Sequence, residues 1–180
     1  MSPTMNALTE SYLTRLLSAE NAARRSFIET VRGGKVVFTN GVFDLLHRGH
    51  LEYLQEARNL GNMLIVGLNS DDSVRRLKGP LRPLIPQEDR ACALLALRAV
   101  DYVVTFDEDT PESLIHLIKP HILVKGGDYD PDTIVGADFV QRQGGNVVTI
   151  PFRAGYSTSG LIDEIVERHA DSCLKTSQHA

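Results

Sequence analysis

The sequence has little of what marks a secreted, membrane-spanning or nucleic-acid-binding chain. Its 180 residues include two cysteines, Cys92 and Cys173, and neither has neighbours that would make it half of a metal pair. So few exclude a disulfide framework and favour a reducing compartment. No run approaches the roughly 18 apolar residues a membrane helix needs, so no membrane partner is expected. In the first 25 residues two of the three arginines, Arg24 and Arg25, follow the leucines, the reverse of a signal peptide's order, and the expected location is the cytoplasm. Basic residues are also in deficit, 19 Lys and Arg against 23 Asp and Glu, for a formal charge of −4. Proteins that neutralise many backbone phosphates are usually basic, so nucleic acid is not an expected partner. Internal repeats and low-complexity tracts are missing as well.

What is present is ordinary globular composition, 42% hydrophobic and 23% charged, at a length that fits one domain with roughly 30 residues to spare. From Lys35 onward short β-branched runs alternate with amphipathic stretches. The runs are 35–40, 62–68, 101–106, 121–126 and 146–150, continuous enough for strands covered on both faces. Between them, Leu51, Leu54, Ala57 and Leu60 follow the helical period up to Gly61, and 87–99 is the most apolar helical stretch. Thr110 and Pro111 read as the N-cap and first residue of another helix, which Pro120 ends. The expected fold is α/β: a Rossmann-like, doubly wound, five-stranded parallel sheet with an extra N-terminal helix. Leu13, Leu16 and Leu17 form one apolar side of that helix, and Gly33-Gly34 reads as a hinge after it. The helix would pack on the domain or on a second subunit. The expected division is a helical extension over 1–34, the main domain over 35–172 and a disordered tail over 173–180.

In such sheets ligands bind beyond the carboxyl ends of the strands, so the segments that follow strands carry the chemistry. After the first strand come Asn40, Gly41, Phe43 and Asp44, then His47-Arg48-Gly49-His50. Spacing of three brings the two imidazoles together at a helix start, where free N–H groups and the dipole already favour anions. Gly49 would let a ligand approach the backbone. Two other readings stay open: Asp44, His47 and His50 as a metal site, and histidines satisfied within the fold. The loop 75–83 gathers Arg75, Arg76, Lys78 and Arg82, with Arg90 opening the next helix. Arg75 and Arg76 read as a solvated face, while a cation in the irregular part, such as Lys78, is placed to reach a phosphate. Lys125, Gly126 and Asp128 follow the fourth run, where glycine permits close approach by a base or sugar. Ser157, Thr158 and Ser159 open the last helix; one is a natural N-cap, and three together suit a di- or triphosphate tail.

GVFDLLHRGH (41–50), the Lys/Arg loop and YSTS (156–159) resemble the nucleotidyltransferase superfamily with the HxGH signature, the cytidylyltransferase-like proteins. With LKGPLRP (77–83), the DRA that follows and VKGGDYD (124–130), the likeness is greatest to the branch that adenylylates D-glycero-β-D-manno-heptose 1-phosphate. It covers about residues 35–170. The resemblance implies ATP and a sugar 1-phosphate as substrates, Mg²⁺ accompanying ATP, release of pyrophosphate, and a homodimer or higher homo-oligomer. It further implies catalytic roles for His47, His50 and Lys78, and a cleft lined by Asn40, Gly41, Phe43 and Asp44. Arg90 would support the site, Lys125, Gly126 and Asp128 would lie near nucleoside or sugar, and Ser157, Thr158 and Ser159 would hold the β- and γ-phosphates. Two departures stand out: Gly160-Leu161-Ile162 where relatives often carry a basic residue, and Val42 where heptose enzymes commonly show Cys. Sister enzymes making CDP-alcohols or adenylylating pantetheine phosphate, and a non-catalytic nucleotide-binding module, are the alternatives.

Overall fold

A computed structural model describes residues 12, 14–127, 130, 133–151, 153 and 155–176. The chain begins with a short strand, β1 (Leu16–Leu17), and a helix, α1 (Ala19–Val31). Regular alternation follows: β2 (Val36–Gly41), α2 (Arg48–Asn59), β3 (Met63–Asn69), α3 (Asp71–Lys78), α4 (Gln87–Ala96) and β4 (Tyr102–Phe106). The second half contains α5 (Glu112–Ile118), β5 (Ile122–Gly126), α6 (Ala137–Arg142), β6 (Asn146–Ile150) and α7 (Thr158–Thr176). All strands pair in parallel, in the order β1-β4-β3-β2-β5-β6. The chain thus builds outward from β2 to β4, then returns to the other side of β2 for β5 and β6. That reversal opens a crevice at the carboxyl ends of β2 and β5, where a doubly wound sheet takes its ligand.

Strand periodicity explains why the sheet needs helices on both faces. Val37 packs with Leu54 and Ala57 of α2 and Leu94 of α4 on one face. Its neighbours Val36 and Phe38 point the other way, toward Ala22 of α1, Leu114, Ile115 and Ile118 of α5 and Val140 of α6.

Several expectations change. Among the described residues the sheet has six strands, not five, because Leu16 and Leu17 pair with Val103 and Val104 rather than joining a helix. On a strand, consecutive residues face opposite sides: Leu16 packs with one core cluster and Leu17 with the other. Leu13 lies outside the described residues. The segment read as an extension therefore supplies an edge strand and a covering helix. That helix starts at Ser18, whose Oγ accepts from the Asn21 amide at 3.3 Å. Its end is a fixed cap, not a hinge: the Gly34 and Gly33 amides donate to the Glu29 and Thr30 carbonyls, with Gly33 at φ 80°, a conformation that favours glycine. On α2, Leu54 and Ala57 are buried as expected, but Tyr53 joins them while Leu51 and Leu60 stay exposed. Helix α4 ends at Ala96, short of residue 99, and Pro111, not Thr110, occupies the N-cap of α5. Helix α7 continues through 173–176, and residues 177–180 lie outside the described residues. Among the described residues no helix is long and apolar enough to cross a membrane.

Candidate active site

The crevice holds a cavity of about 370 Å³. From the end of β2 come Asn40, Gly41, Phe43 and Asp44; from α2, His50; Lys78, expected in the irregular loop, is the last residue of α3, and Arg82 lies in the loop after it. Lys125 and Gly126 end β5, and Ser157, Thr158 and Ser159 open α7. Groups separated by more than a hundred residues thus share one wall, since parallel strands deliver all their carboxyl ends to the same edge. Asp128 lies outside the described residues.

His47 is the N-cap of α2 and makes no side-chain cap bond. Its ring stacks on that of His50, centroids 3.9 Å apart and 21° from parallel. His50, rather than His47, is in the cavity wall; His47 stands behind it, 6.1 Å from the Tyr156 ring. Among the described residues neither of the two buried Nδ1 atoms has a hydrogen-bond partner. Burial, and then the neighbouring His47, push the His50 pKa down to about 4; burial also lowers that of His47. At neutral pH the ligand-free pair is uncharged. Phe43, at φ 47°, holds a left-handed backbone conformation that is costly for a bulky residue. Its buried ring lies 5.4 Å from that of His50, so packing maintains the strain at the site.

The glycine between the histidines has a different task from the one expected. A Cβ at Gly49 would come within 3.1 Å of Tyr156 Cβ and of His47 Nδ1. The missing side chain lets the segment before α7 close against α2, rather than opening the backbone to a ligand. A charged network ties the same two parts: Arg153 Nη1 lies 2.8 Å from both Glu52 carboxylate oxygens, and Arg48 Nε lies 2.8 Å from Oε1. Arg153 first and Arg48 next hold the Glu52 carboxyl below its ordinary value. Ser157 Oγ accepts from the Gly160 amide at 2.9 Å, the N-cap of α7.

Asp44 is a clasp. Burial works to raise its pKa, but hydrogen bonds from the Leu84 and Ile85 amides and from Arg82 prevail and hold it below its ordinary value. Arg82 Nε lies 2.6 Å from Oδ2, and the Ile85 amide 2.8 Å from Oδ1. With both oxygens committed, Asp44 is not available as the third ligand of a metal site with the histidines; among the described residues no such cluster forms. Arg90 is likewise structural. It is 1% exposed, and its guanidinium donates to the carbonyls of Ile85, Val42 and Asn69 and to Asp71 Oδ1. It braces the loops behind the cavity without facing it. Arg75 pairs with Asp72 and Arg76 with Asp109, the expected solvated face. Lys125 Nζ lies 3.4 Å from Asn40 Oδ1, and burial lowers its pKa. Tyr53, which helical periodicity does not distinguish from core, also reaches the wall and hydrogen-bonds Thr39.

These features define an α/β protein with a polar, cation-bearing cavity at the carboxyl edge of its sheet, and comparison with known proteins gives the class. A family model described as cytidylyltransferase-like matches residues 38–162. The chain belongs to the cytidylyltransferase-like family. It is 57% identical over 143 residues to the bifunctional protein HldE of Trichlorobacter lovleyi, covering 79% of this chain and 29% of that one. The corresponding protein of Wolinella succinogenes is 54% identical over 151 residues, 84% of this chain and 31% of the relative. The chain therefore spans less than a third of the length of these relatives. A solved structure, the lipopolysaccharide core biosynthesis protein from Thermoplasma volcanium, superposes with a TM-score of 0.54 at 28% identity. The match covers 67% of this chain and 98% of that one.

Proposed function

We propose that the protein is an adenylyltransferase converting D-glycero-β-D-manno-heptose 1-phosphate and ATP to ADP-heptose and pyrophosphate, for the lipopolysaccharide inner core. The observation that carries this reading is the single cavity walled by His50, Lys78 and the Ser157–Ser159 turn. Likeness to HldE proteins over most of the chain, and to a lipopolysaccharide core biosynthesis protein, supports the heptose assignment.

A sugar phosphate is largely dianionic near neutral pH, with a second pKa of about 6. Its oxygen attacks the α-phosphorus of ATP, a new P–O bond forms, and the bond to the β-phosphate oxygen breaks. No proton has to be removed from the nucleophile, so no general base is required. The barrier is the approach of two anions, and the task is positioning plus stabilisation of the equatorial oxygens and the departing pyrophosphate. His50 and Lys78 serve that charge, with His47 orienting His50 through ring stacking. Ser157, Thr158, Ser159 and the α7 amides hold the β- and γ-phosphates.

Asp44 is the one carboxylate in the cavity wall among the described residues, and its oxygens are taken. Mg²⁺ is therefore assigned to the co-substrate, entering as MgATP. The activity is placed in the cytoplasm, where ATP is available. A homodimer or higher homo-oligomer is the proposed assembly, supported by the exposed apolar side chains of Phe27 and Val31 on α1 and Leu117 on α5. The deciding assay is pyrophosphate release from each nucleoside triphosphate with heptose 1-phosphate, glycerol 3-phosphate or pantetheine phosphate. Turnover is expected for ATP with heptose 1-phosphate; preference for another pair would reassign the enzyme.

A further inference from the structure

Beside the cavity described above lies a second, of about 340 Å³, within the range of small-molecule sites. The two share Asn40, Gly41, Val42 and Lys125, so they meet at the carboxyl ends of β2 and β5. Their chemistry differs. The first contains His50, Lys78, Arg82 and the hydroxyl turn. The second presents Asn69, Asp109, Thr110 and Thr133 around aliphatic surface from Leu77 and Ile134, and among the described residues no aromatic side chain lines it. Such a wall has nothing to stack on a base. Amide, carboxylate and hydroxyl groups set among aliphatic side chains match the hydroxyls and C–H faces of a polyol.

Asn69 sharpens the match. It is 4% exposed, and its amide nitrogen donates to Ser73 Oγ at 3.0 Å, while its amide oxygen has no hydrogen bond among the described residues. Asn69 lines the cavity, where a ligand hydroxyl can donate to that oxygen. Asp109 is neutralised by Arg76 Nε at 2.8 Å, so this wall does not repel an anionic substrate strongly. Lys125 is the cation common to both cavities.

We infer that the second cavity binds the polyol of the acceptor, and that Lys125, on the seam, receives the acceptor's phosphate opposite the α-phosphate of ATP. The inference rests on the adenylyltransferase reading and adds to it the acceptor subsite.

Val135, already 41% exposed at this cavity, permits a test that spares the fold. Val135→Trp is expected to leave calorimetric affinity for a non-hydrolysable ATP analogue within about twofold and to raise KM for heptose 1-phosphate about tenfold or more. Thr110→Val should raise the same KM by about three- to tenfold, through a lost hydroxyl contact. Lys125→Met should lower kcat/KM by about a hundredfold, the scale for one charge-stabilising donor, with partial recovery in Lys125→Arg. An unchanged sugar KM in Val135→Trp, or lost affinity for the ATP analogue, would overturn the inference. A wild-type protein inert toward heptose 1-phosphate but active with another polyol phosphate would overturn the heptose reading alone, and the same variants then test the subsite with that acceptor. Binding of ATP with turnover of no polyol phosphate would overturn both.

Discussion

At the scale of single residues, burial decides which polar groups handle ligand and which hold the framework. His50 is kept neutral by its surroundings, with a pKa of about 4 against 6.5 for the free side chain. The unfolded chain takes up a proton there below pH 6.5 while the folded chain resists, so this residue removes stability as pH falls from 6.5 toward 4. Asp44 acts in a different window: its lowered pKa favours the fold above the ordinary carboxylate range and ceases to do so only below it. Thermal melts of His50→Gln should therefore lose less Tm than wild type between pH 7 and 5. His50→Ala is expected to fold but to lose about 10²–10³ in kcat, measured by pyrophosphate release; wild-type turnover would remove the imidazole from the reaction. Arg90 belongs to the framework. Arg90→Lys keeps the charge but cannot serve acceptors arranged around a planar fork, and should cost on the order of 3 kcal/mol. That corresponds to roughly 6–12 °C in Tm, and calorimetry checks it. The residues themselves did not reveal this role, because an arginine at the start of an apolar helix reads equally well as a cation facing a phosphate.

Between elements, the decisive contact joins the start of α2 to the turn before α7. Gly49 allows Tyr156 to approach, and Glu52 pairs with Arg153 across the same gap. Exposed ion pairs add little stability, so close packing at the glycine carries more of the alignment. Gly49→Ala forces a shift of a few tenths of an ångström between the histidines and the hydroxyl turn. A roughly tenfold rise in KM for ATP is expected, since small misplacements are amplified at the reacting centre, with Tm changed by less than about 3 °C. Steady-state kinetics beside a melt would check it; an unchanged KM would show that the two elements need not touch. The HxGH spacing was visible in the text, but the partner of its glycine was not, because Tyr156 lies more than a hundred residues away.

For the whole molecule, the reversal of strand order at β2 places both cavities on one edge, and the segment before Lys35 completes the sheet behind them. Deleting residues 1–34 removes no side chain of the active-site cavity. It would nevertheless expose the edge of β4 and uncover the face on which Ala22 packs with Leu114, Ile115 and Ile118. Such an edge is prone to pair with other chains. The truncated protein is expected to lose several degrees of Tm, at about 2–4 °C per kcal/mol, and to aggregate on heating. Light scattering during a melt would show it; a truncation as stable as the full chain would make β1 and α1 dispensable.

Local pattern alone determined the parallel α/β class, five of the six strands and the order of the phosphate-binding segments, because those properties follow from short-range periodicity and from residue types placed just after strands. Tertiary structure decided the rest. A two-residue strand is too short to have a period, so β1 emerged only through its pairing with β4. The work of Arg90, Asp44 and Gly49 depends on neighbours distant in the chain, and the second cavity exists only where β2, β3 and β5 end together.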